Sequence, residues 1–215
     1  MRAALVVVLA MAATARADVT TDLVKELPAC DADRAHCFGI QLHVTVVDEK
    51  PIVTAEWLAT QLEGANRHFQ RLGVGFQVVG VDALPAKGAH IESRGDRDEL
   101  SIGRMTGKVV QVFIIGKLDD VDEPGEIAHG VTWHRRNDDH KYILVSDTAL
   151  PRTLAHELGH FFGLPHSTYA ISIMNKTSRK EPPLEKRTFD DEEIAAMRPH
   201  LKRLLGDKVI ADLPR

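Results

Sequence analysis

The sequence predicts an α+β fold, a sheet layered with helices. Three observations carry this. Residues 40–47 alternate apolar and polar side chains, residues 109–115 are almost wholly apolar, and helical periodicities lie between and after such runs. The signals follow the order β-α-β-(α)-β-β-β-α-loop-α, which suits helices packed on one sheet rather than a regular βαβ repeat. A length of 215 residues fits one domain. With 44% hydrophobic residues, the chain is not disordered along its length. A net charge of -4 argues against a nucleic-acid partner, which usually calls for a basic footprint. The unusual count is histidine, at 11.

Residues 1–17 read as a signal peptide: a basic start at Arg2, an apolar run from Ala3 to Ala13, and the small-x-small site Ala15-Arg16-Ala17. The apolar run is too short to span a bilayer core of about 30 Å, so no membrane span is expected after cleavage. The mature protein is then exported, either secreted or periplasmic. Residues 18–39 form an N-terminal segment holding the two cysteines, Cys30 and Cys37. In an oxidising compartment they are read as a disulfide. The alternative is a Cys30 thiolate that binds metal.

In residues 40–47, Ile40, Leu42, Val44 and Val46 share one face, the period of a strand. Thr54 can cap a helix in which Leu58, Leu62, Ala65, Phe69 and Leu72 recur at helical spacing before Gly73 stops it. Gly75–Val81 is a second strand. Residues 84–107 carry weak signals, with Arg97–Met105 the candidate helix among them. Val109–Ile115 has no polar face beyond Gln111, the pattern of a strand covered on both sides. Lys117–Glu126 is an acidic loop. Gly130–His134 is a short strand between polar loops, as at a sheet edge, and Lys141–Val145 follows. Pro151 opens a helix running to Gly163. Asp190 and Glu193 make a capping box for a last helix near 190–205.

Residues 156–166 read His-Glu-Leu-Gly-His-Phe-Phe-Gly-Leu-Pro-His, the pattern H-E-x-x-H-x-x-G-x-x-H. On a helix His156 and His160 stand one turn apart on one face, able to share an ion at about 2.0–2.1 Å. Gly163 permits the left-handed turn that brings His166 back as a third ligand. Three protein nitrogens leave a fourth position open, the arrangement of a catalytic zinc rather than a structural one. Glu157 is rotated about 100° from His156 on the helix, toward the water rather than the metal. A carboxylate there can take the proton of a water that zinc has acidified.

On these residues the chain resembles the metzincin zinc endopeptidases. The resemblance implies a methionine turn below the ligands, and Ser172-Ile173-Met174-Asn175 fits it, with Met174 eight residues after His166. Ser167, after the third histidine, resembles the matrixin-like and pappalysin-like members. Lys176 stands where other members place a tyrosine ligand, so no such ligand is expected, and Tyr169 is read as a packing or rim residue. Pro28-Ala29-Cys30-Asp31 matches the matrixin latency motif poorly.

The resemblance further implies a twisted mixed sheet, an active-site helix and a catalytic domain over residues 40–215. Its cleft would divide an upper lobe, about 40–163, from a lower lobe, about 164–215. Peptide substrates would add as a strand along Gly130, Val131, Thr132 and Trp133. The expected activity is peptide-bond hydrolysis on one zinc ion, with Glu157 as general base and then proton donor to the leaving amine. Two rivals are a non-catalytic zinc-containing binding protein and a zinc hydrolase of a non-peptide substrate. Calcium at Asp119-Asp120-Val121-Asp122-Glu123 competes with a plain solvated loop. A second zinc at His129, His134 and His140 has no fixed spacing behind it.

Overall fold

In the computed structural model, the structure describes residues 20–135 and 140–214. The signal-peptide segment lies outside the described residues. A sheet order of β3-β1-β5-β8-β7 organises the domain: β1 (His36–Val47), β3 (Val74–Leu84), β5 (Val110–Ile115) and β8 (Lys141–Ser146) are parallel, and β7 (Gly130–His134) is antiparallel to β8 at the edge. A short β2 (Lys50–Pro51) pairs back on the end of β1, and β4 (His90–Ile91) pairs with β6 (Lys117–Leu118) in a separate two-stranded sheet. The mixed sheet and its helices are the α+β architecture the sequence predicts.

The all-apolar run behaves as expected, since every residue of β5 is buried. Val110, Val112 and Ile114 enter the larger core, whereas Phe113 and Ile115 enter a smaller core on the other face. Strand alternation assigns the neighbouring β8 in the same way, with Ile143 and Val145 on one face and Tyr142 and Leu144 on the other.

Helix α1 (Ala55–Phe69) covers the larger core. Thr54 caps it by accepting from the Trp57 N–H, and a 3-10 turn extends it to Leu72. It buries Leu58, Leu62, Ala65 and Phe69 against the sheet. The other face carries α2, which the structure places at Arg94–Ser101. This corrects the expected Arg97–Met105. The start is set by a capping box in which Ser93 and Asp96 exchange hydrogen bonds, and the helix stops before the left-handed Gly103. Its sequence, RGDRDELS, is too charged for hydrophobic periodicity to place it; the buried Arg97 and Leu100 hold it.

Helix α3 (Thr153–Phe161) crosses the larger-core face beside α1, and α4 (Asp191–Gly206) ends the fold. The larger core contains residues from both sides of Gly163, from Leu158 to Met197 and Ile210. Cys30 and Cys37 are bonded, with 6.0 Å between their Cα atoms. Beside that bond the C-terminal segment is clamped to β1. Asp212 accepts from the Cys37 N–H at 3.0 Å and meets His36 Nδ1 at 2.9 Å, while the Leu213 N–H donates to the Cys37 carbonyl.

Candidate metal centre

Helix α3 has no side-chain N-cap of its own. The missing partner comes from α1: Gln61 Oε1 accepts from the Leu154 N–H at 3.1 Å, and Gln61 Nε2 donates to the Leu150 carbonyl at 2.9 Å. One buried amide thus fixes where α3 begins. At the other end Lys141 Nζ, from the start of β8, donates to the carbonyls of His160 at 2.8 Å and Phe161 at 3.1 Å. A partly buried cation on the last carbonyls suits the negative end of the helix. Neither support was visible in the motif.

The predicted ligands converge. The ligand nitrogens of His156, His160 and His166 lie within 4.8 Å of one another. Gly163 makes this possible with φ of 92°, which turns the chain at the end of α3. A side chain there would also strike the His200 ring, 2.5 Å from the position of its Cβ.

Two of the three histidines are oriented by backbone carbonyls. His156 Nδ1 is 2.8 Å from the Ile173 oxygen, and His160 Nδ1 is 2.7 Å from that of Leu164. A carbonyl only accepts, so each Nδ1 carries the hydrogen and each Nε2 presents its lone pair. His160 Nε2 and His166 Nε2 are 3.2 Å apart. Tetrahedral bonds of about 2.0–2.1 Å put two nitrogens about 3.4 Å apart, so the pair is spaced for one shared ion. Burial, reinforced by the neighbouring imidazoles and Lys176, holds His156 and His166 down to about 4. Burial also lowers His160. Neutral imidazoles with converging lone pairs are a donor set for a cation.

Met174 is fully buried below α3, its Sδ 2.7 Å from where a Gly159 Cβ would lie. The turn that carries it is tied to α4. The Ser172 hydroxyl reaches both Glu193 carboxylate oxygens, at 2.7 and 2.8 Å, and accepts from the Met174 N–H at 2.8 Å. Glu193 Oε2 also accepts from the Asp190 N–H, closing the capping box of α4. The box read from sequence therefore also braces the turn that positions His156.

Glu157 is 4% exposed. Burial pushes its carboxyl up to about 7, against the opposing pull of hydrogen bonds from Thr132. Thr132 Oγ1 lies 3.0 Å from Glu157 Oε2 and 2.6 Å from the Glu157 carbonyl.

The candidate substrate strand splits by face. Gly130 and Thr132 turn toward α3, and a Cβ on Gly130 would lie 2.9 Å from Glu157 Cγ. Val131 and Trp133 pack on the smaller core, with Trp133 Nε1 donating to Asp98 at 2.6 Å and the Arg97 guanidinium 4.8 Å from its ring centre. A cleft of about 840 Å³ runs from Ile127–Thr132 past Glu157 and the three histidines to Leu184 and Arg187.

The remaining predicted metal residues do not gather. Among the described residues the histidine triad is the sole group of three or more ligand-type side chains close enough to share an ion. Asp119 pairs with Lys117 and His90, Asp122 with Arg94, and Asp120 accepts from the backbone of Asp122 and Glu123. His129, His134 and His140 are exposed. Tyr169 is a rim residue whose hydroxyl donates to Glu192.

The matrixin family model matches residues 108–198, from β5 into α4. The solved structure of metalloproteinase-II from Bacteroides fragilis aligns with a TM-score of 0.50 at 12% identity, covering 84% of this chain and 60% of that one. This chain therefore spans less than two thirds of that protein's length. A structure described as a chaperone-substrate complex aligns at a TM-score of 0.47 and 13% identity, over 81% of this chain and 39% of that one. No curated protein matches the chain. Residues 108–198 thus resemble the matrixins, and the fold as a whole is like that of a metalloproteinase.

Proposed function

We propose that the protein is an exported zinc endopeptidase that holds one ion on His156, His160 and His166 and uses Glu157 as general base. The observation that carries this is a buried, partly protonatable carboxylate beside three converging imidazoles at the floor of an open cleft. Matrixins are zinc-dependent, which fits that donor set. When bound, zinc supplies a Lewis acid that polarises a carbonyl and acidifies water.

The chain's own groups do the proton work. The Glu157 carboxylate takes the proton of the attacking water and returns it to the leaving nitrogen. Thr132 suits both states. Its hydroxyl donates to the ionised Oε2, and it can donate to the Glu157 carbonyl while accepting from a protonated Oε2. A peptide lies extended along β7, whose outer edge has no strand partner among the described residues. Residues 1–17 act as the export signal, and the cleft separates an upper lobe, about 40–163, from a lower one, about 164–215. Met174 supports the ligands from below. An open groove beside a strand edge favours this reading over a small-molecule hydrolase.

The test uses purified zinc-loaded protein and a peptide library. Cleavage is expected, to vanish with a zinc chelator and return with zinc. Glu157→Ala is expected to abolish turnover while zinc still binds. Full activity in Glu157→Ala would end the mechanism, and an absence of cleavage by the loaded protein would favour the non-catalytic binding protein.

A further inference from the structure

One side of the cleft carries uncompensated positive charge. Arg152, Arg179 and Arg187 all line it. Arg187 is buried and spends two of its donors on backbone, with Nε reaching the Pro182 carbonyl at 2.9 Å and Nη2 that of Arg179 at 2.8 Å. These bonds anchor the guanidinium without neutralising it. Arg179 Nε is buried with no hydrogen-bond partner. Arg152 is half-buried, and its side chain makes no hydrogen bond among the described residues. Among those residues no carboxylate forms an ion pair with any of the three, although Arg34, Arg71 and Arg94 elsewhere each have one. Burial and then the nearby Arg187 charge hold Arg152 below the usual arginine range, as expected of cations crowded without an anion. Cleft carboxylates on the far side are already engaged: Asp122 by Arg94, Asp120 by backbone N–H groups.

The position of this cluster along a bound peptide follows from chain direction. Gly130, the start of β7, packs against Thr153 and Glu157, and Arg152 immediately precedes Thr153. The arginines therefore sit toward the Gly130 end. A peptide added antiparallel to β7 carries its C-terminal half past that end. Guanidinium forks pair with carboxylates in two parallel hydrogen bonds, and partial burial strengthens such a pair. The exposed Leu150 and Leu184 line the same cleft and offer apolar surface to the methylenes of an acidic side chain.

Resting on the endopeptidase reading, we propose that Arg152, Arg179 and Arg187 form a carboxylate subsite on the leaving-amine side of the scissile bond. It takes a substrate Asp or Glu side chain, or the peptide's own terminal carboxylate. The protein is then selective for acidic sequence just beyond the bond it cuts.

The experiment is a cleavage profile with zinc-loaded protein, followed by matched amidated peptides with Glu, Gln or Lys after the scissile bond. Glu is expected to exceed Gln in kcat/KM by about tenfold or more, equivalent to about 1.4 kcal/mol. Lys is expected to be the poorest. A pair differing only in a free or amidated C-terminus separates the two sources: a gain confined to the free acid assigns the subsite to the terminal carboxylate. Arg152→Gln and Arg179→Gln should bring the Glu-to-Gln ratio toward one. Arg152→Glu should shift preference toward Lys, a reversal that misfolding cannot produce. Cleavage without any carboxylate preference would overturn the subsite and leave the peptidase reading standing. If nothing is cleaved, the peptidase reading fails, and fluorescence anisotropy of the labelled Glu and Gln peptides decides the subsite. Tighter binding of the Glu peptide upholds it; equal or no binding overturns it.

Discussion

Thr132 on the edge strand and Glu157 on helix α3 share one hydroxyl, which meets both the carboxylate and the backbone carbonyl of Glu157. A hydrogen bond to a charged group contributes about 1.5–3 kcal/mol. Thr132→Val keeps the shape of the side chain and removes that bond. It is expected to lower kcat about tenfold or more with a smaller change in KM. Steady-state kinetics on one peptide checks this, and an unchanged kcat would remove Thr132 from the proton chemistry.

Gly163 combines a left-handed φ with the His200 ring where its side chain would begin. Gly163→Ala is expected to destabilise the protein by about 1–3 kcal/mol. Because the turn delivers His166, zinc affinity should fall as well. Urea unfolding and competition with a fluorescent zinc chelator measure the two effects separately.

Lys141 holds the C-terminal carbonyls of α3 from β8, and burial lowers its pKa. Lys141→Met preserves the stem and removes the donors. The expected loss is about 1–3 kcal/mol in unfolding free energy. Weakened zinc binding should accompany it, since His160 is one of the two residues whose carbonyls are freed.

His68 predicts an acid limb of stability. Burial, then the Arg67 and Arg152 charges, lower its pKa to about 4. The unfolded chain binds this proton at about 6.5 and the folded one at about 4, so between these values the unfolded state holds more protons. The contribution is full above about pH 6.5 and is lost as pH falls toward 4, by up to about 3 kcal/mol. His68→Gln should flatten the wild-type stability loss over that range, read as the difference between urea midpoints at pH 7 and pH 4.5. Equal slopes in the two proteins would sink the assignment.

The legible parts of the fold were those written in local pattern. The apolar run of β5 announces burial on both faces, and the spacing from His156 to His166 announces that the three imidazoles converge. Helix α2 starts three residues and ends four residues before the expected bounds because its hold on the sheet comes from a buried arginine beneath Trp133, a contact no periodicity encodes. Gln61 and Lys141 were missed because their partners are backbone groups on another element, far away in sequence. Arg152 carried a faint signal, being one helical turn before His156. Arg179 and Arg187 carried none, since only the fold brings them to the same wall as Arg152.

The clamp of Asp212 and Leu213 on Cys37 has a mechanical meaning. Tension on the chain after residue 214 meets the hydrogen bonds to β1 before it can reach α4, and the Cys30–Cys37 bond staples the same point covalently. Load is thus delivered to the strand that pairs with both β3 and β5, over the length of the parallel ladder, instead of peeling the terminal helix from the methionine turn. A tether or fusion on that side should leave the histidine triad undisturbed under force that the clamp withstands.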